Sequence, residues 1–468
     1  MRLPLNLLTE LNFAFPDILI TSLMITLIIY RSFSKTSKYI SKLSFLFASC
    51  CLVAILAYKN ISNNFNSTLF IYNQGLQSIK SLLFVFILLI FAISNFSKIA
   101  SADFYIFIWG FTSSISLCLT SNNFLCLLIG LELYTFSVAF TLLNNKNEPF
   151  EKLKKCAIRF LLLSSVMSSI FIFGCSLLYS QFGSLSFQKI LLNRNFESIA
   201  GTVLILLYIL FKFGLVPFHT WLLDVYEKLS FLTVMFLDTV WKLFLTFIFL
   251  KIFSIFIINK FYDPQLLFEI IAITSMAFGA IIPIFQNNIN KFIATSSIGH
   301  LGFIFSVFAT MKSLNQSTDM MCYLVYYPVS SICFFIGILF INKHQTIRNF
   351  SDLAGIINTT PLIGILILLS MFSMIGIPPF GNFIAKLNIF KLLLQSKSYL
   401  LLSISAIYSI LAILYTAKLS KFFFTKTNNP IFIESSKIKS IIPILVLISF
   451  ALFYSKVELL FSNIISRM

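Results

Sequence analysis

The chain has 468 residues, 58% of them hydrophobic and only 11% charged, with a formal net charge of +18. That balance excludes a water-soluble globular domain, in which about a quarter of residues are charged. A basic excess in a soluble protein would suggest nucleic acid; here the bases fall mostly in short polar stretches between apolar runs, where they orient a membrane chain, and no nucleic-acid partner is expected.

Apolar runs of about 20 residues recur along the whole length, each long enough to cross a bilayer as a helix. The first follows Phe15-Pro16-Asp17. It outruns a signal h-region and has no small-residue cleavage site after it, so it reads as a retained helix. Fourteen spans are expected, with cores at 16–31, 43–58, 81–97, 104–120, 124–143, 157–180, 199–221, 231–255, 266–285, 292–311, 320–341, 360–390, 399–424 and 440–462. The segment 360–390 is too long for one straight span and carries Gly376-Ile377-Pro378-Pro379-Phe380-Gly381. Prolines there break the hydrogen-bond ladder, and Gly214 with Pro217 should break 199–221 as well. The expected class is an all-α polytopic membrane protein of about 14 transmembrane helices.

Numbering the loops in order, the odd loops hold 18 bases and the even loops, with Lys80 counted among them, 7. This bias places the odd loops on the cytoplasm-like or matrix side and both termini on the opposite side. Phe213-Gly214-Leu215-Val216-Pro217-Phe218 echoes Ile375-Gly376-Ile377-Pro378-Pro379-Phe380 about five helices later. An odd offset inverts the topology, so two inverted five-helix repeats with broken helices are expected, and in transporters of that build the breaks mark the ion site. The expected division is residues 1–120 for the first four helices (helices 1–3 outside the repeats), 104–255 and 266–424 for the repeats, and 425–468 for a C-terminal helix.

The chemistry lies in charges that have no water to face. Glu132 sits mid-span in Leu127-Leu128-Ile129-Gly130-Leu131-Glu132-Leu133, and Lys212, Lys242 and Lys386 each sit inside an apolar segment. A lysine at the bilayer centre costs roughly 2.5–3.5 kcal/mol even on a lenient insertion scale. Two readings of Glu132 are open, a carboxyl kept neutral by burial or a carboxylate paired with a lysine of another helix, Lys212 first. Burial disfavours a lone charge and an opposite partner favours it, so a moving partner makes such a pair a proton switch. Each lysine could instead snorkel to the surface. Lys242 also has Asp238 four residues earlier, a spacing that forms a local pair on one helix face. His219, beside the break at Pro217, and His300, in Ser296-Ser297-Ile298-Gly299-His300, read either as proton relays or as hydrogen-bonded structural histidines. Nothing is expected of His344. The eight cysteines are single apart from Cys50-Cys51 and have no ligand or redox spacing, so neither a metal nor an iron–sulfur site is expected. There is no phosphate loop or GxGxxG turn. The 57 Phe against 15 Gly and 12 Pro fit a gene in a small A/T-rich genome such as an organelle's.

These residues resemble a known family, the antiporter-like subunits of NADH:ubiquinone oxidoreductase (complex I), and among them the type called subunit 2 in mitochondria and subunit N in bacteria. Four stretches carry the resemblance: Gly130-Leu131-Glu132-Leu133; Lys212-Phe213-Gly214-Leu215-Val216-Pro217-Phe218-His219-Thr220-Trp221 with Asp224-Val225-Tyr226-Glu227; Asn288 to Lys291 with Ser296 to Phe303; and Leu353-Ala354-Gly355 with Gly376 to Phe380 and Lys386. The resemblance implies a proton-translocating membrane-arm subunit in which Glu132 pairs with Lys212, Lys242 lies on a central hydrophilic axis and Lys386 faces the outlet. It implies no cofactor in this chain, with FMN, Fe–S clusters and the quinone reaction in partner subunits. Implied partners are the other membrane-arm subunits, including antiporter-like subunit 4 and the small subunit 4L, and lipids. The implied location is the mitochondrial inner membrane, both termini on the intermembrane-space side. A cation/proton antiporter subunit and the plastid counterpart remain the alternatives. Arg159 stands where the family commonly has lysine, and arginine does not release a proton. Leu223-Asp224-Val225-Tyr226-Glu227-Lys228-Leu229-Ser230 lacks the family's prolines and glycine, and Asp238 replaces a small residue.

Overall fold

Helices make up almost all of the computed structural model, as a chain must be built to satisfy every backbone polar group inside a bilayer. The structure describes residues 5–425 except 34–36, 60–64, 68, 98–99, 146–147, 188–195, 260–264, 312–315 and 344. The span expected at 440–462, the C-terminal segment 425–468 beyond its first residue, His344 and the loop bases Lys35, Lys98, Lys146, Lys189, Arg194, Lys260, Lys312, Lys426, Lys437 and Lys439 lie outside the described residues.

The first six helices are α1 (Leu5–Phe33), α2 (Ser37–Lys59), α3 (Gln74–Ser97), α4 (Ala102–Thr120), α5 (Phe124–Leu143) and α6 (Phe150–Phe182). They match the first six expected spans. The seventh span is broken, as its glycine and proline foretold, into α7 (Phe196–Phe213) and α8 (Thr220–Lys228). The eighth is α9 (Phe231–Phe236), a π-helical turn at Leu237–Trp241, and α10 (Lys242–Asn259). Then come α11 (Gln265–Ile281), α12 (Ile289–Thr310), α13 (Ser317–Asn342), the short α14 (Ile356–Thr359), the broken pair α15 (Pro361–Ile375) and α16 (Gly381–Gln395), and α17 (Tyr399–Phe424). Thirteen expected spans are thus present among the described residues. Among the described residues, the departures from all-helix include a small antiparallel ribbon between α2 and α3, Phe65–Asn66 against Ile71–Tyr72.

Polar residues at the ends set the boundaries. Side chains of Ser101, Asn123, Ser230 and Asn288 accept backbone N–H groups in the first turns of α4, α5, α9 and α12. Gly214 (φ 69°) ends α7 and Gly376 (φ 83°) ends α15, both in the left-handed region that glycine enters without strain. Both breaks also hold a cis X-Pro bond, Val216-Pro217 and Pro378-Pro379.

Packing divides the described chain into two units, residues 5–212 with 244–259, and residues 213–243 with 265–425. In the first unit, α4 is the buried centre, packed against α1 and α5. Gly174 of α6 and Gly201 of α7 let those helices touch, since a Cβ on Gly174 would meet the Gly201 carbonyl at 2.7 Å. In the second unit α12 is buried along nearly its whole length, with α11 against it where Gly279 meets Gly299. Small residues at such crossings let backbones approach where lipid offers no hydrophobic driving force. Leu162, Val166 and Phe173 of α6 and Ile407, Ile410 and Leu414 of α17 are exposed apolar stripes, as faces turned to hydrocarbon require.

Candidate functional site

Glu132 stands eight residues after Phe124 in the 20-residue α5, about 12 Å along a helix of about 30 Å. It is therefore near the middle of its helix. Its carboxylate accepts hydrogen bonds from the Tyr208 hydroxyl at 2.8 Å and the Thr135 hydroxyl at 2.8 Å. The Lys212 ammonium lies 3.8 Å away, with its side chain fully buried while that of Glu132 is 26% exposed. Lys212 also donates to Ser164 Oγ at 3.1 Å and, more distantly, to the Leu131 carbonyl at 3.5 Å. The rings of Tyr208 and Tyr134 face the ammonium at 4.9 and 5.6 Å, adding cation–π attraction. The snorkelling alternative for Lys212 is excluded by its burial, and its ammonium is the basic group beside Glu132. Tyr208, Thr135 and Ser164 were not singled out from sequence, though Thr135 sits at the i+3 position of Glu132 and was legible on spacing.

The second unit holds the other two lysines. Lys242 Nζ lies 2.5 Å from Asp238 Oδ1, the i, i+4 pair read from the sequence. Asp238 is buried in the π-helical turn, a type of irregularity common at functional sites. Its second oxygen accepts from Tyr327 at 3.0 Å and Ser331 at 2.7 Å, two residues one turn apart on α13. The pair is thus local but not isolated. Lys242 also lies over the Tyr226 ring at 5.6 Å. His300 is buried, with Nδ1 2.6 Å from the Tyr323 hydroxyl and its ring 4.7 Å from that of Tyr327. Tyr408 packs edge-on to the same imidazole at 5.9 Å. Gly299 makes room for it, because a Cβ there would meet the Tyr408 ring at 2.5 Å. The Tyr408 ring carries the Lys386 ammonium at 5.3 Å, and Phe303 holds it from another side at 5.5 Å. Asp238, Tyr327, His300, Tyr408 and Lys386 therefore form a contiguous run of polar and aromatic contacts inside this unit.

Lys386 is buried and does not snorkel. Its ammonium has no hydrogen-bond partner among the described residues and rests on ring faces. Among the described residues it has no fixed acid of the kind that Lys212 and Lys242 each have. The break between α15 and α16 positions it: Asn382 ties the start of α16 to the Ser373 carbonyl at 2.8 Å and to Ser330 of α13 at 3.1 Å. His219 is half-buried beside the first break, its ring 4.1 Å from Phe278. The break itself is held to α11 by Val216 N–H donating to Ser275 Oγ at 3.3 Å. Arg159 is exposed on α6.

Several bases counted to loops lie within helices instead: Lys42 of α2, Lys152, Lys154 and Lys155 of α6, Lys291 of α12, and Lys418 and Lys421 of α17 sit toward helix ends and are not buried, whereas Lys80 turns inward. Lys80, counted as an even-loop base, lies inside α3, is buried, and pairs with Asp17 of α1 at 2.6 Å. Asp17 also accepts from the Tyr72 hydroxyl at 3.3 Å. The two residues are 63 apart and each sits near the polar end of its span, so no local pattern links them. Lys251 of α10 was also missed. It donates to the carbonyls of Leu119 at 2.8 Å and Ser121 at 2.5 Å.

Residues 121–412 match the family model described as NADH:quinone oxidoreductase/Mrp antiporter, TM. NADH-quinone oxidoreductase subunit N of Pelagibacter ubique is 28% identical over 426 residues, 88% of this chain and 89% of that one. A chain of respiratory complex I from Thermus thermophilus with bound aureothin superposes with a TM-score of 0.77 at 18% identity, covering 96% of this chain and 98% of that one. A chain of the Mrp complex from Dietzia sp. DQ12-45-1b does so with a TM-score of 0.79 at 16% identity, covering 90% and 81%. At such identities the two structures share the fold.

Proposed function

The chain belongs to the NADH:quinone oxidoreductase/Mrp antiporter transmembrane family, and from that premise we propose that it is a proton-translocating membrane-arm subunit of an NADH-quinone oxidoreductase (complex I), of the subunit N type. The observation that carries this reading is the Glu132–Lys212 pair. A fully buried lysine is held by one carboxylate that stands near the middle of its helix and is itself partly exposed. A buried pair of that kind changes its proton occupancy when its geometry changes, because separating the partners leaves each charge in a low-dielectric site.

In this reading Glu132 and Lys212 are the gate. Within the second unit, Lys242, with Asp238 as its fixed partner, His300 and Lys386 carry protons along the aromatic run. His219 relays protons at the first break. The two broken helices mark two inverted repeats, 104–255 and 266–424, supported by the matching left-handed glycines at Gly214 and Gly376. The quinone reaction, FMN and Fe–S clusters belong to partner subunits. The neighbours are the other membrane-arm subunits, antiporter-like subunit 4 and small subunit 4L among them, with lipid around the exposed apolar stripes. The A/T-rich residue usage and the excess of bases in the odd loops favour the mitochondrial inner membrane with both termini in the intermembrane space.

Purification of the native assembly through a tag on this chain tests the reading. A flavin and iron–sulfur spectrum with NADH-driven proton uptake is the expected result. A small colourless complex that exchanges cations for protons without NADH would overturn it and establish the antiporter alternative. Organelle fractionation separates mitochondrion from plastid.

A further inference from the structure

The gate accounts for Glu132 and Lys212, but the first unit holds three more buried or half-buried charges that it leaves unused: Asp17, Lys80 and Lys251. Lys251 sits in Phe247-Ile248-Phe249-Leu250-Lys251-Ile252-Phe253, with the Phe187 ring 5.4 Å from its ammonium. Its two acceptors, the carbonyls of Leu119 and Ser121, lie at the C-terminal end of α4, where unpaired carbonyls and the helix dipole favour a cation. The turn they belong to is fixed from other sides as well. Asn122 donates its side-chain amide to the Ser67 carbonyl at 2.6 Å, and Phe187 N–H donates to the Asn122 carbonyl at 3.0 Å.

Between this turn and the gate runs one polar face of α4. Ser114, Cys118 and Ser121 are spaced i, i+4, i+7, so they line the same side of the helix. Ser114 donates to the Gly130 carbonyl at 2.6 Å, two residues before Glu132. Cys118 donates to the Leu127 carbonyl at 3.6 Å, one turn nearer the α4–α5 turn; the Ser121 hydroxyl donates to the Cys118 carbonyl at 2.7 Å, and Lys251 meets the same residue at its backbone carbonyl. Cys118 lies within electrostatic reach of both Lys212 and Lys251, and Lys251 within reach of Lys80. Lys80 thus places a like charge within electrostatic reach of Lys251, where Glu132 places an opposite charge 3.8 Å from Lys212.

We infer that Lys251 is a second proton-carrying lysine of the first unit, linked to the gate by the Ser114–Cys118–Ser121 face of α4 and controlled by the Asp17–Lys80 pair. The inference rests on the function proposed above. In each transfer one N–H bond of the Lys251 ammonium breaks and its proton passes to water at the α4–α5 turn. A proton from the gate, relayed along the α4 face with each hydroxyl or thiol giving up its own proton as it takes one, reforms that bond, so Lys251 alternates between ammonium and amine and every relay group ends with the one proton it began with. An arginine at this position keeps both carbonyl contacts through its forked N–H groups but does not release a proton.

The test compares Lys251→Arg and Lys251→Met in the intact assembly, with Lys212→Ala alongside, reading assembled amount on native gels and NADH-driven proton uptake in liposomes. The expected result is normal assembly of Lys251→Arg with proton uptake reduced about tenfold, and a similar reduction for Lys251→Met. Full uptake by Lys251→Arg would overturn the inference and leave Lys251 as a helix cap only. Should Lys251→Arg fail to assemble, Lys251→Met decides: full uptake with that neutral side chain overturns it too. Normal uptake by Lys212→Ala would refute the gate itself, a different outcome from failure at Lys251 alone.

Discussion

Glu132→Gln keeps the shape of the gate and removes its charge. The amide oxygen still accepts from the Tyr208 hydroxyl at 2.8 Å, and the amide NH2 donates to Thr135 Oγ1, whose own proton goes to the backbone carbonyl of residue 132 at 2.7 Å, so packing is preserved. What is lost is the attraction to Lys212 at 3.8 Å, about 4 kcal/mol at an effective dielectric of about 20. The carboxylate is 26% exposed, so solvent screening reduces that to about 2 kcal/mol. A loss of about 2 kcal/mol from the charged, paired state of the gate lowers its population about thirtyfold, and with it the rate of the step that starts from it. The assay is proton uptake by proteoliposomes holding the assembled complex, recorded beside the rate of NADH oxidation. Uptake should fall about thirtyfold in Glu132→Gln, with the complex present in normal amount. An assembled variant that pumps at the normal rate would show that Lys212 does not depend on this carboxylate.

Asp238→Asn leaves Lys242 buried beside a neutral amide and should destabilise the second unit by about 3–5 kcal/mol, seen as less assembled complex. The double variant Asp238→Asn with Lys242→Met should recover assembly on native gels but not proton uptake. Gly130→Ala places a methyl 2.3 Å from Cys118 Sγ; the forced shift of α4 against α5 should cost about 1–3 kcal/mol and lower the melting temperature of the complex. Gly376→Ala puts a side chain at φ 83°, which costs about 1–2 kcal/mol, and displaces Lys386, so thermal stability and proton uptake should fall together.

Thirteen spans were legible because each is a long apolar run closed by polar residues, and the breaks at Gly214 and Gly376 because glycine and proline punctuate a helix in a recognisable way. Glu132, Lys212 and Lys386 stood out as charges without water, and Asp238 by its i, i+4 spacing to Lys242. What sequence did not disclose depends on contacts between distant helices. Tyr208 lies 76 residues from Glu132, and Asp17 lies 63 from Lys80. Lys251 falls near the edge of an expected span, where a lysine ordinarily reaches the surface, and only the placement of the α4 carbonyls shows that it turns inward. The π-helical turn around Asp238 leaves no mark in the apolar pattern, since it changes hydrogen-bond register and not composition.

The central claim is that Lys212 carries the proton. It is tested most directly by comparing wild type with Lys212→Ala and Lys212→Arg in proteoliposomes, at matched amounts of assembled complex and with NADH as the driver. Proton uptake that is strongly reduced in both variants is the predicted result, since arginine retains the charge opposite Glu132 and not the capacity to release a proton. Normal uptake by either variant would contradict the account.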